Sequence, residues 1–256
     1  MSTTKVDSMD LEIYNSQARY YAAAFDWPVN HQVEGIARLS GLAAGRVLEP
    51  MCGSARLLRG FASAGFETVG VDASAQLLAM ARRAFSAYEM EGQWLGADVT
   101  GFSLETACDL AVCPVNSLAH LQTSTAMSRH LQAVARNLNS GCCYWVQLDL
   151  KAVGRKDSPE RWDFELDGET LEFEWSVVDI NPEFETHQDR ILKDGEPIFQ
   201  ERHRMKRWTF QDWSALLARS PFELSAAYDG NSFEHFRADA SLEMHNVFWQ
   251  KLVKSP

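Results

Sequence analysis

The sequence has no long apolar stretch and no excess of positive charge. No run approaches the roughly 18 consecutive apolar residues that a membrane-spanning helix needs, and 24 Lys and Arg stand against 35 Asp and Glu, for a net charge of −11. An acidic chain repels phosphate-rich polymers at long range. We therefore expect neither a membrane-spanning segment nor a nucleic-acid partner, and we predict a cytoplasmic protein.

Cysteine is scarce, and internal repeats and low-complexity segments are missing. Because the number of cysteines is odd and no pair has zinc-like spacing to a second pair, we expect reduced thiols and no metal site. The five are Cys52, Cys108, Cys113, Cys142 and Cys143. Hydrophobic residues make up 46% of the 256 residues, with 8 Trp and 14 Phe. This composition predicts a sizeable core in one catalytic domain with an insertion.

Residues 41–150 alternate short apolar runs with helical patterns. Strands are predicted at 46–49, 68–72, 93–95, 109–113 and 142–150, with helices after the first, second and fourth strands. Ser74 is a plausible N-cap of the second helix, and the helix after the fourth strand is predicted to include Leu138 and to end at Gly141. Strands separated by helices pair in parallel, which predicts an open doubly wound α/β sheet that binds ligands at the carboxyl ends of its strands.

The regions flanking this core follow other patterns. Residues 1–40 are predicted to form a helical lid. Residues 151–208 alternate in a strand-like way, with turn signals at Asp167-Gly168, Asn181-Pro182 and Asp194-Gly195, and are predicted to form antiparallel hairpins that bind substrate or a second subunit. Residues 209–256 are predicted to complete the α/β core, with Thr209 as a helix N-cap and strands at 222–228 and 244–253.

The turn after the first strand carries the strongest functional signal. A dinucleotide site normally has three glycines in G-x-G-x-x-G, because the pyrophosphate lies against bare backbone. Here Gly53 is the one glycine, with Met51 and Ala55 at the flanking positions. This turn argues against NAD, and it is compatible with a nucleoside that has no phosphate.

Two carboxylates follow the next two strands. Asp72 lies 23 residues after Glu49, where a carboxylate can accept hydrogen bonds from both ribose hydroxyls. Asp98 follows the third strand and could accept from an exocyclic adenine amine, while the N–H of Val99 could reach a ring nitrogen. Together these strand ends predict an adenosine site.

Residues 46–150 resemble the core of the class I S-adenosylmethionine-dependent methyltransferases. Residues 49–55 match that family's acidic-x-G-x-G-x-G loop with two glycines replaced, and residues 113–118 match its fourth-strand motif. The hairpin insertion and the seven-residue spacing of Tyr14 and Tyr21 are similar to the small-molecule branch, which includes sugar N,N-dimethyltransferases and glycine N-methyltransferase.

The resemblance implies a mostly parallel seven-stranded sheet that binds S-adenosylmethionine without a metal. The residues that we expect to contact this cofactor are Tyr14, Tyr21, Glu49, Met51, Cys52, Gly53, Asp72, Ala73, Asp98, Val99 and Pro114. For the methionyl carboxylate, Arg19, Arg38 and Arg56 are all candidates.

The substrate side is predicted to follow the fourth strand. Asn116 and His120 are four residues apart, so on a helix both could face one pocket. A near-neutral pKa would suit His120 to take a proton or to orient an amine or hydroxyl. No Asn-Pro-Pro-Tyr string occurs at this strand end, which argues against nucleic-acid bases as substrates.

The predicted reaction is methyl transfer from S-adenosylmethionine to an amine, or else a hydroxyl, of a small metabolite, by a possible homodimer. One alternative is an enzyme that cyclises S-adenosylmethionine itself to azetidine-2-carboxylate and releases methylthioadenosine. Another is a non-catalytic cofactor-binding module. The walls of the substrate site are expected to come from hairpin aromatics such as Trp162, Phe173, Trp175 and Trp208, whereas residues 202–207 are expected to be a solvated strand face.

Overall fold

The structure is a computed structural model that describes residues 11–150, 159–245 and 247–255. Residues 1–10 and 151–158 lie outside the described residues, and with them most of the stretch at 156–159 whose composition predicts a linker. In the described ranges the helices are α1 Ala18–Ala24, α2 Asn30–Ser40, α3 Arg56–Ser63, α4 Ala75–Ala87, α5 Ser124–Arg136 and α6 Phe210–Leu217. None of them is long and apolar enough to cross a membrane.

Eight strands form the larger sheet. They are β1 Arg46–Pro50, β2 Glu67–Asp72, β3 Gln93–Gly96, β4 Cys108–Cys113, β5 Leu138–Gln147, β10 Phe222–Asp229, β11 His235–Phe236 and β12 Phe248–Lys254. Their order is β11-β10-β12-β5-β4-β1-β2-β3. The five strands from β5 to β3 pair in parallel, and β12, β10 and β11 are antiparallel. The predicted doubly wound fold is confirmed, with the two-residue β11 added at one edge of the seven predicted strands.

A second, antiparallel sheet of four strands follows in the chain. Its strands are β6 Glu160–Leu166, β7 Glu169–Ile180, β8 Phe184–Lys193 and β9 Glu196–Lys206, in that order. The predicted turns connect them. At Asp167-Gly168 and at Asp194-Gly195 both residues have positive φ, between 52° and 81°, as a two-residue hairpin turn requires. The Asn181 side chain accepts the N–H groups of Glu183 and Phe184 at the third turn.

The two faces of the larger sheet are buried under different helices, because successive side chains of a strand point to opposite faces. Leu48, Tyr144 and Val146 pack in the cluster that includes residues of α5 and α6. Val47 and Trp145 pack in the cluster that includes residues of α2, α3 and α4. A third cluster joins the small sheet to the N-terminal segment, so this segment lies against the small sheet.

Several predicted boundaries are wrong. Strand β5 ends at Gln147 rather than at residue 150. Helix α5 ends at Arg136, and Leu138 begins β5, where it pairs with Cys108. The Asn137 side chain fixes this transition, because it accepts from the Leu104 N–H and donates to two carbonyls. Gly141 therefore lies inside a strand, with a φ of 75°. The last strand starts at Phe248 rather than at 244, since residues 240–244 form a 3₁₀ turn.

The predicted N-terminal helix is also divided. Residues 12–14 form a 3₁₀ turn, and α1 starts at Ala18, so Tyr14 and Tyr21 lie in separate elements. Their rings nevertheless meet edge to face, with centroids 5.0 Å apart. The two tyrosines thus contact each other although they lie in different elements.

One buried histidine ties a loop to the sheet. His130 of α5 is fully buried, its Nδ1 donates to the Val99 carbonyl at 3.1 Å, and its Nε2 accepts from the Tyr144 hydroxyl at 2.9 Å. Burial lowers the pKa of His130 from 6.5 to about 4. The folded protein therefore holds this imidazole neutral at neutral pH.

The low pKa of His130 predicts acid sensitivity. Between pH 6.5 and about 4 the unfolded chain binds a proton that the folded chain does not, so the stability contributed by His130 is lost as the pH falls through this window. When the pH falls from 7 to 5, the free energy of unfolding of the wild type should decrease by about 2 kcal/mol more than that of His130→Gln. Urea unfolding at both pH values measures this difference. The exposed His31, changed to glutamine, is the control, and an unchanged pH slope in His130→Gln would contradict the assignment.

Candidate active site

A cavity of about 1140 Å³ lies where the loops after β1 to β4 meet the small sheet and the N-terminal segment. The loops contribute Gly53, Asp72, Asp98 and Asn116, and the small sheet contributes indole and imidazole side chains. Pockets for single drug-sized ligands are roughly 300 to 1,000 Å³. This cavity therefore has room for two small molecules side by side.

The loop after β1 has an unusual backbone. Met51, Gly53 and Ala55 all have positive φ, of 59°, 52° and 62°. This left-handed conformation is easy for glycine and strained for other residues. Met51 and Ala55, which replace two glycines of the family motif, thus keep a backbone conformation that glycine would favour.

Asp72 joins this loop to the next one. Its Oδ2 accepts from the Gly53 N–H and its Oδ1 from the Ser74 N–H, both at 2.8 Å. Burial raises the pKa of Asp72 above its ordinary value, and the backbone N–H bonds oppose that shift. Each oxygen still has a lone pair for a ligand hydroxyl, and Asp72 lines the cavity.

The other predicted cofactor residues lie around the same space. Ala73, Asp98 and Val99 border the large cavity, and the Asp98 Oδ1 accepts from the Thr100 N–H at 2.7 Å. A small pocket of about 30 Å³ shares Tyr21, Met51 and Gly53 with the cavity. That pocket is bordered by the remaining predicted residues, which are Glu49, Cys52 and Pro114.

Arg56 is the one of the three candidate arginines that reaches this pocket. It begins α3, packs over the Trp27 ring at 4.2 Å, and is 7% exposed. Its Nη1 has no hydrogen-bond partner in the described parts of the chain. By contrast, Arg38 is exposed, and Arg19 forms an exposed ion pair with Asp167. An orphaned buried guanidinium is a ready partner for a carboxylate.

His120 and Asn116 both border the cavity, but they do not share a helix face. Asn116 has a φ of 56° and precedes a 3₁₀ turn, and its side-chain oxygen accepts from the Asp149 N–H. The His120 Nε2 lies 3.2 Å from the Tyr14 hydroxyl. Burial, together with nearby His187, lowers the pKa of His120 to about 4. The expected near-neutral pKa is therefore wrong, and His120 is a neutral imidazole at physiological pH.

The small sheet supplies a polar wall that the sequence pattern did not indicate. His187 and Asp189 on β8 and His203 on β9 are buried and line the cavity. The expectation of a solvated face at residues 202–207 is wrong in part, since the buried His203 and Met205 alternate with the exposed Arg202 and Arg204 and line the cavity.

The aromatic residues that were expected to form the substrate walls divide in two. Trp162 and Trp175 line the cavity. Phe173 stacks behind Trp162 in the third cluster, and Trp208 is buried in the cluster below α6. Half of the predicted wall is thus core.

Residues 47–141 match a protein family described as a methyltransferase domain. The matched range runs from β1 into β5 and includes the loops that supply Gly53, Asp72, Asp98 and Asn116 to the cavity. No curated protein sequence matches the chain.

Solved structures extend the likeness beyond residues 47–141. An S-adenosylmethionine-dependent methyltransferase from Clostridium acetobutylicum has 17% identity and a TM-score of 0.73, over 94% of this chain and 98% of that one. An S-adenosylmethionine-bound amino pentose methyltransferase from Micromonospora echinaspora has 15% identity and a TM-score of 0.71, over 94% and 96%. A sugar N-methyltransferase from Streptoalloteichus has 19% identity and a TM-score of 0.71, over 100% and 98%.

The solved structures confirm the predicted fold class, and the family match over residues 47–141 supports the predicted enzyme class, a methyltransferase. The roles of individual residues stay predictions, although the eleven predicted cofactor residues, together with Asn116 and His120, all border the large cavity or the small pocket beside it.

Proposed function

We propose that this protein transfers a methyl group from S-adenosylmethionine to an amine nitrogen of a small metabolite. The observation that carries the proposal is the cavity of about 1140 Å³. It joins the strand-end loops of the methyltransferase domain to a second half lined by indole and imidazole side chains. The similar amino pentose and sugar N-methyltransferases support an amine as the acceptor.

The residues of the loops fit the cofactor. A Cβ at Gly53 would meet no atom closer than 3.6 Å, so this position is open on the side of Tyr21. Asp72 would accept from the ribose hydroxyls, Asp98 from the adenine amine, and Arg56 would pair with the methionyl carboxylate. When bound, S-adenosylmethionine would supply a methyl group that is bonded to a positively charged sulfur and that is open to direct attack by a nitrogen lone pair.

The protein's own contribution is mainly to orient the acceptor and to exclude water. Trp162 and Trp175 would cover the carbon skeleton of the acceptor, and the hydrogen-bonded pair of Tyr14 and His120 would direct a polar group. A neutral imidazole with a pKa of about 4 is a weak base. Because a hydroxyl is much harder to deprotonate than an ammonium, His120 favours an amine substrate over a hydroxyl.

Calorimetry and product analysis test the proposal. We expect S-adenosylhomocysteine to bind the full chain, and S-adenosylmethionine to be converted to S-adenosylhomocysteine only when an amine is added. The amines to be tried are glucosamine, benzylamine and glycine. Methylthioadenosine released without any amine would instead support cyclisation of the cofactor, and tight binding without any product would support a non-catalytic module. Dimerisation and a cytoplasmic location stay predictions.

A further inference from the structure

Asp189 is a buried carboxylate that borders the cavity. It lies on β8, paired in register with Trp175 of β7 and Glu201 of β9, and it is 4% exposed. Its Oδ2 lies 3.5 Å from the His203 Nδ1. Asp189 is not among the residues predicted to bind the cofactor, and the proposed orientation of the acceptor does not use it.

The groups around Asp189 do not balance its charge. Burial and the neighbouring imidazoles of His120 and His187 lower the pKa of His203 well below its ordinary value, so His203 is neutral. Glu201 is held in place by the N–H groups of Glu12 and Ile13, and it adds a like charge. The titratable groups that face Asp189 from the surrounding elements are His187 on β8, Glu201 and His203 on β9, Tyr14 in the N-terminal turn and Tyr21 in α1.

Unlike Asp189, His187 has hydrogen-bond partners within the sheet for its polar side-chain atoms. Its Nδ1 accepts from the Trp175 indole at 3.1 Å, and its Nε2 donates to Glu185 at 3.1 Å. Both ring nitrogens are therefore occupied within the sheet. Asp189 is the anionic group of this wall that remains suited to a cation from the cavity.

We propose that Asp189 binds the protonated amino group of the acceptor and takes one proton from it, so that the acceptor is a cationic amine. This inference rests on the proposed function. One N–H bond of the ammonium breaks, its proton forms an O–H bond with the Asp189 carboxylate, and the electron pair stays on nitrogen as the nucleophilic lone pair. The proton leaves Asp189 for solvent after the product departs.

The electrostatics of the wall suit this role. Burial and, second, the charge of Glu201 raise the pKa of Asp189 to about 7. A carboxylate of this basicity accepts a proton from an ammonium far more readily than an ordinary aspartate does. The low pKa of His120 makes it the weaker candidate for the same step.

Binding of matched probes tests the subsite without requiring turnover. The probes are glucosamine against glucose and benzylamine against benzyl alcohol, titrated at pH 7.5 into the full chain saturated with S-adenosylhomocysteine. We expect at least one amine to bind tenfold or more tightly than its alcohol. In Asp189→Asn this preference should disappear, while the affinity for S-adenosylhomocysteine changes less than threefold. Asp163→Asn, which removes an exposed carboxylate from β6 of the same sheet, should keep the preference.

A pH profile distinguishes proton transfer to Asp189 from a purely steric role of this residue. For the amine that turns over, the acidic limb of kcat/KM should fall near pH 7 in the wild type and vanish in Asp189→Asn, with a loss of at least thirtyfold at pH 7.5. Glu201→Gln should move that limb to lower pH, because it removes the like charge.

The outcomes distinguish the two claims. Methyl transfer by Asp189→Asn at the wild-type rate, or an amine preference that survives in this variant, overturns the role of Asp189 and leaves the proposed function standing. The same holds if neither amine is preferred to its alcohol although methyl transfer occurs. An Asp189-dependent amine preference without any methyl transfer overturns the proposed function and leaves the cation subsite standing.

Discussion

Asp72→Asn is expected to weaken the binding of S-adenosylhomocysteine at least a hundredfold. In the wild type one carboxylate accepts the N–H groups of both Gly53 and Ser74, and it would also accept from the ribose. An amide has a single acceptor oxygen, so its NH₂ group would face one of these N–H donors and disrupt the loop. Losing charge-assisted bonds of this kind costs about 1.5 to 3 kcal/mol each, and a hundredfold corresponds to about 2.7 kcal/mol.

The matched control for this variant is Asp229→Asn. Asp229 also ends a strand and accepts two backbone N–H groups, from Asn231 and Ser232, but it does not border the cavity. Calorimetry should show a large loss of affinity for Asp72→Asn alone, while thermal unfolding reports the general cost of the substitution in both variants. Equal affinities in the two variants would mean that the ligand does not reach Asp72.

The strand-end part of the site could be predicted from the sequence. Apolar runs of three to nine residues, most of them followed by a helical pattern, predict a parallel sheet, and the carboxyl ends of neighbouring strands meet at one edge. Gly53, Asp72 and Asp98 therefore border one cavity although each lies in a different loop. Local periodicity and the crossover rule were sufficient here.

The small-sheet wall could not be predicted, because its inward face is polar. Along β8 the buried positions include Glu185, His187 and Asp189, where a strand over a core would normally carry apolar side chains. When the buried positions of a strand are polar, the sequence does not alternate between apolar and polar residues, so the buried face cannot be recognised from the sequence. Only the packing of this sheet against the strand-end loops shows that His203 and Asp189 face a cavity.

The α5 boundary shows a second limit of local patterns. Leu138 follows Val134 at helical spacing, so its burial fits a helix as well as a strand. The choice is made by tertiary contacts: Leu138 pairs with Cys108, and the Asn137 side chain bonds to the loop that contains Phe102 and Leu104. Neither partner is near in sequence.

Gly53→Ala is expected to reduce the affinity for S-adenosylhomocysteine about a hundredfold with only a small loss of stability. The added methyl group would enter the space between Tyr21 and Leu77, which both border the cavity, at distances of 3.6 and 4.0 Å. It would cause no clash within the protein, so its main effect would fall on a ligand packed against the loop. Because residue 53 has a φ of 52°, an alanine there is strained by about 1 to 2 kcal/mol.

Gly41→Ala separates the strain from the steric effect. Gly41 caps α2 with a φ of 70°, and a Cβ there would meet nothing within 4 Å. Both variants should lose a similar amount of free energy of unfolding in urea, because both force alanine into the left-handed region. Only Gly53→Ala should lose affinity in calorimetry. If both variants bind S-adenosylhomocysteine as the wild type does, the cofactor does not approach the backbone of this loop, and the site must be sought in the other half of the cavity.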